Sequence, residues 1–147
     1  MIQDSQFASD LMTLERVHLL RLSLWAGLSI VAGTAIIAFL RAMRRQSAIL
    51  LHFAIQSAAW GAVDLAVVLW ARSGLALRDL TGAIALDRFL WFNVGLDVGY
   101  VLVGATLALV GWRLGRRGAL IGAGIGIVVQ GLALALLDLQ LSAGILR

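Results

Sequence analysis

Four stretches of mostly apolar residues, at about 17–40, 48–71, 89–112 and 119–141, constrain this chain more than any other feature. At about 1.5 Å per residue a helix of twenty or more residues reaches across a hydrocarbon core of about 30 Å. Composition agrees. Hydrophobic residues make up 61% of the chain and charged residues 14%, against about 45–50% and about 25% in soluble domains. With a mean hydropathy of +0.96, the sequence reads as an integral membrane protein. The links after the first and third spans are short, so neighbours run antiparallel. The expectation is an all-α, polytopic protein whose four transmembrane helices form an up-down-up-down bundle, a single domain over 1–147.

The flanking segments read differently. Residues Met1 to Arg16 mix polar and apolar side chains, and Phe7, Leu11, Leu14 and His18 share a face suited to a helix lying at the interface and running into the first span. The acidic start and the length of the following apolar stretch argue against a cleaved signal peptide. Arg72 to Arg88 is the longest connection. There Leu75, Leu77, Leu80, Ile84 and Leu86 alternate with Arg78, Asp79 and Thr81, which suggests a short interfacial helix.

The chain has no cysteine, so disulfides, thiolate metal sites and thiol nucleophiles are excluded, and no proline, so no proline kink occurs. All 12 basic residues are arginine and the net charge is +4. In a membrane protein that charge is read from its position in the loops, and no nucleic-acid partner is indicated. Arg41, Arg44, Arg45, Arg113, Arg116 and Arg117 fill the two tight loops, which hold no acid. The other face carries Arg16, Arg21, Arg72, Arg78, Arg88 and Arg147, so a bare count ties. Arginines packed in short loops weigh more, which places the tight loops in the cytoplasm and both termini outside.

Within the second span, His52, Gln56, Trp60 and Asp64 recur every four residues and form one slowly spiralling stripe. A carboxylate at that depth costs roughly 2.5 kcal/mol or more. The third span answers with Asn93, Asp97 and Tyr100, which fall within about 60° of one another on a helix. Counting from Arg72 and Arg88, Asp64 and Asp97 lie at nearly the same depth, about 12–14 Å in from the same outer loop. Adjacent antiparallel helices would bring them together. Asp138 of the fourth span is near the same end with Gln130 deeper, and His18 and Arg21 of the first span are cationic candidates there.

Two carboxylates close together in low dielectric cannot both stay ionised cheaply, so a proton, a cation or an arginine must intervene. One reading is therefore a protonatable or cation-binding site open to the outer face. The other is interhelical glue, with Asp64 bonded to Tyr100 or Trp60, Asn93 to backbone and Asp138 to Arg21. Such contacts contribute only about 0.6 kcal/mol each on average, and Ser, Thr, Asn or Gln serve that purpose more cheaply than three aspartates. Asp138 alone reads as interfacial and solvated. His52 is expected to bond Gln56 or Gln130, with a proton path or ligand contact as the alternative. His18 lies near the opposite face, which argues against an intrachain bis-histidine haem, and no four-ligand Cys/His zinc set exists. The three aspartates could hold a hard cation, but no cofactor and no protein-bound metal is indicated.

Gly118, Gly122 and Gly126, like Gly95/Gly99 and Gly111/Gly115, repeat at four-residue spacing. Small residues so placed let helices approach closely, within the bundle or across a homodimer or partner-subunit face. Gly122 to Gly126 is no dinucleotide fingerprint, because no strand precedes it. Trp70, Trp91 and Trp112 lie at span ends, as expected for interfacial belts, while Trp60 is deeper.

The pattern Gln56-x3-Trp60-Gly61-x2-Asp64 with Trp91-x-Asn93-x3-Asp97-x2-Tyr100 resembles the signature of an uncharacterised bacterial four-helix membrane protein family. The resemblance covers roughly Leu51 to Gly111 and implies the bundle and a bacterial inner membrane, but no activity. The size is also that of small multidrug transporters, yet their membrane-embedded glutamate has no counterpart, since the only Glu is Glu15, outside the span. The functional expectation is a non-enzymatic membrane protein binding or moving a proton, a cation or a small cationic solute at Asp64 and Asp97, with Asn93, Tyr100, Gln56 and Trp60 shaping the site and His52 and Asp138 contributing. The alternative is an accessory or assembly subunit whose polar stripe packs against partner helices or lipid.

Overall fold

The computed structural model describes the backbone of residues 2–145 and the side chains of 5–145. Four α-helices follow one another: α1 (Ile2–Ala42), α2 (Ala48–Ser73), α3 (Leu80–Arg113) and α4 (Gly118–Ile145). All four are long and apolar enough to cross a membrane, and the protein is an all-α, four-helix integral membrane protein. At 41 and 34 residues, α1 and α3 run to about 61 and 51 Å. Both therefore outreach the hydrocarbon core by roughly 20 Å or more.

That surplus differs from the interfacial segments expected from sequence. Residues 2–16 are the first turns of α1, and Leu80 to Arg88 are the first turns of α3, so neither forms a separate helix. The reason is a small core of their own. Leu11, Ala83, Leu90, Leu141 and Ile145 are buried against one another, with Phe7 and Leu86 packed beside them. The apolar face of the first half of α1 is covered by α3 and α4 instead of by lipid headgroups. Polar contacts fix the arrangement. Arg78 donates from Nε and Nη2 to the two carboxylate oxygens of Glu15 at 2.8 and 3.2 Å. Asp79 caps α3 by accepting from the Gly82 amide at 2.8 Å, and Ser47 caps α2 through the Leu50 amide at 3.3 Å.

Glycine decides which helices meet. On α1 and α2, a Cβ added at Gly33 would lie 2.5 Å from the Ala54 carbonyl oxygen, and one at Gly61 would lie 2.8 Å from that of Ala26. On α3 and α4, Gly104 and Gly124 face each other's carbonyls, at 2.7 and 2.5 Å from their added Cβ atoms. The stripe Gly118, Gly122 and Gly126 lies against α2, at Ala48, Ile49 and Gln56, so it packs inside the bundle. This contact brings α2 and α4 together as parallel neighbours and places α4 against all three other helices. The expectation that α2 and α3 are adjacent is corrected accordingly. Where three glycines on α4 remove the side-chain layer, α2 settles there, and its link to α3 is left to the edge-on rings of Trp60 and Tyr100.

Candidate functional site

The polar side chains of the four helices assemble around α4. Asp64 of α2 is 4% exposed and Gln130 of α4 also 4%. Gln130 donates from Nε2 to Asp64 Oδ2 and accepts at Oε1 from the indole N–H of Trp25 on α1 at 3.1 Å. One amide thus joins three helices, with its donor and its acceptor both used. A helix face bearing polar groups is stable in an apolar bundle only when each finds a partner, and Gln130 can serve two because Gly126 and Gly131 clear room on either side for α2 and α3.

Asp97 of α3 lies beside this chain of bonds. Gly131 brings α4 close to it, since an added Cβ there would be 2.9 Å from the Asp97 carbonyl oxygen. The Asp97 side chain is 5% exposed, and its Oδ2 is buried with no hydrogen-bond partner among the described residues. The charged groups that act on it are Asp138 and Asp64. Asp138 of α4 is bonded to Asn93 of α3 and lies with its Oδ1 3.5 Å from Nε2 of His18 on α1. His18 in turn bonds the backbone of Leu137. Two partnered carboxylates therefore act on one unpartnered carboxylate.

Several expected contacts form and others do not. Asp64, Asp97, Asn93 and Asp138 come into one neighbourhood, and the His18 ring lies beside Asp138. Arg21 is not a partner there: its Nη1 donates to Gln140 Oε1 at 2.8 Å. Asp138 is not solvated, with a side chain only 13% exposed, because α1 continues past it and lays His18 over it. Asp64 bonds neither Trp60 nor Tyr100. Those rings pack edge to face, with centroids 5.1 Å apart, and close one flank of the site. Gln56 is spent on packing against Gly126. His52 stands apart, its Nδ1 bonded to the Ala48 carbonyl of its own helix at 2.9 Å instead of to Gln56 or Gln130. No three of His, Cys, Asp and Glu among the described residues converge closely enough to hold a metal ion by themselves.

Trp25 is the participant that sequence reasoning passed over. Its signal was present: His18, Arg21 and Trp25 recur at i, i+3 and i+7, one helical face. A cavity of about 400 Å³ between α1 and α4 has Arg21, Trp25 and Gln140 in its wall and opens beside this end of the network.

A family model described as a family of unknown function, DUF6992, matches residues 21–139. The chain belongs to the DUF6992 family. The matched region extends well beyond the two central spans and takes in Trp25, Asp64, Asn93, Asp97, Gln130 and Asp138, while Glu15 and His18 fall before it. No curated protein and no solved structure matches the chain. Membership of DUF6992 assigns no reaction and no substrate, and what the site can do rests on its own chemistry.

Proposed function

We propose that this DUF6992 protein binds and moves a positive charge, as a proton, a small inorganic cation or a small cationic solute, at the carboxylate network of Asp64, Asp97 and Asp138. The observation that carries the reading is Asp97 Oδ2, buried without a partner among the described residues and within electrostatic reach of two other carboxylates. A buried acid left without a hydrogen bond costs stability, and intramembrane acids that persist are by default functional groups. Gln130 and Asn93 satisfy Asp64 and Asp138, so the group free to exchange is Asp97. Accessory-subunit glue is the weaker reading, because Asp64 and Asp97 are buried inside the chain's own bundle and present nothing to a partner helix. One observation favours a partner elsewhere: Gly95 and Gly99 of α3 face open space.

The role is carriage and not catalysis. The partners of the histidines among the described residues are backbone carbonyls and a carboxylate. The orientation we assign puts the two short arginine loops in the cytoplasm of a bacterium and both termini outside its inner membrane. It is supported by the engagement of outer-end arginines, Arg78 with Glu15, Arg21 with Gln140 and Arg72 with Ser23, while the loop arginines pair with no acid among the described residues. The test is reconstitution into vesicles holding a pH-sensitive dye, with a pH gradient imposed alone and with sodium or tetraphenylphosphonium outside. Wild type should collapse the gradient under one of these conditions, and Asp64→Asn and Asp97→Asn should not, although they remain folded. Identical behaviour of wild type and both variants would overturn the proposal.

A further inference from the structure

At the opposite end of the bundle from the carboxylates, a cavity of about 530 Å³ opens between the last turns of α1 and the first turns of α2. Its apolar wall includes Ile37, Leu40 and Leu51, and its mouth is formed by Arg41, Arg44 and Arg45. No acid lines it, and these three arginines have no ion-pair or side-chain hydrogen-bond partner among the described residues. The backbone holds them there at a cost. Arg45 N–H reaches the Leu40 carbonyl at 3.0 Å and Arg44 N–H that of Arg41 at 3.2 Å, a helix-ending pattern whose left-handed position ordinarily takes glycine. Here Arg44 occupies it with φ 49°. Ser47 and Ala48 at the start of α2 line the same cavity, and helix N-termini favour anions.

A cationic mouth over an apolar wall, at the depth where the bilayer changes from headgroup to chain, has the chemistry of one occupant. We propose that this cavity binds an anionic phospholipid, with the phosphate on Arg41, Arg44 and Arg45 and an acyl chain along Ile37, Leu40 and Leu51. The site is independent of the carboxylate network. Exposed Phe39 and Leu50 on the flanking turns keep it open to lipid entering from the bilayer.

The test is native mass spectrometry and thermal melting of the purified chain in neutral detergent, with phosphatidylglycerol, phosphatidylcholine of the same acyl chains, or inorganic phosphate added. Phosphatidylglycerol should bind at one-to-one stoichiometry and raise the melting temperature, while phosphatidylcholine and phosphate should not. A basic residue near an anionic surface contributes roughly five-fold in affinity, so Arg44→Gln should lose about that factor and the Arg41→Gln/Arg44→Gln/Arg45→Gln variant roughly a hundred-fold. The matching triple substitution of Arg113, Arg116 and Arg117 should keep most of the preference. Should the first triple variant fail to fold, Ile37→Trp, which fills the apolar wall, should abolish one-to-one binding with the arginines intact. Equal response to both lipids, an equal loss from either triple variant, or the same shift from phosphate alone would each overturn the proposal.

Discussion

At the scale of single residues, Gln130 and Asp97 have opposite roles in one network, and substitution should separate them. Gln130 bonds both Asp64 and Trp25. Gln130→Leu leaves a buried carboxylate and a partly buried indole N–H without partners, which should cost about 1–3 kcal/mol, read as a lower melting temperature in detergent. Asp97 makes no bond through Oδ2, so Asp97→Asn removes charge and little else. It should leave the melting temperature within about 0.5 kcal/mol of wild type on a stability scale while abolishing charge movement. A large stability loss from Asp97→Asn would mean that the side chain holds helices together. The aspartates were legible in the sequence from their depth in apolar spans. Their partners were not, because the Asn93–Asp138 and Asp64–Gln130 bonds depend on which helices are neighbours.

Neighbours are settled at the scale of whole helices, by glycine. Gly104 and Gly124 hold α3 against α4 with no room for a methyl group, so Gly124→Ala should cost about 1–3 kcal/mol by overpacking. Gly95, also on α3, has nothing within 4 Å. Gly95→Ala should therefore leave stability unchanged or raise it by up to about 1 kcal/mol from helix propensity. If Gly95→Ala destabilises as much as Gly124→Ala, the packing described is wrong. The four-residue glycine spacing was visible in sequence, but spacing alone does not say which helix is approached, and α4 rather than α3 took the place beside α2. The same limit applied to the helix ends. Length and hydropathy made four spans legible, while the first half of α1 was not, because its apolar stripe looks alike whether lipid or α3 covers it. Leu11, 2% exposed, decides between these. Leu11→Ala should cost about 2–3 kcal/mol, where an interfacial position would cost almost nothing.

At the scale of the molecule, a tall outer end built on Leu11, Glu15 and Arg78 stands above a membrane-embedded carboxylate network, and an arginine-rich rim closes the opposite end. Because the chain has no cysteine, single cysteines report the orientation cleanly. Ser73→Cys should react with a membrane-impermeant maleimide in intact cells, and Met43→Cys only after lysis; the reverse pattern would invert the assigned topology. The central claim is that Asp97 exchanges a positive charge within a folded bundle. Its most direct measurement is the transient current of reconstituted vesicles on a solid-supported membrane, recorded on rapid jumps in proton or cation concentration. Wild type should give a current that Asp97→Asn lacks at an unchanged melting temperature. A current of the same size in Asp97→Asn, or none in folded wild-type protein under any jump, would contradict it.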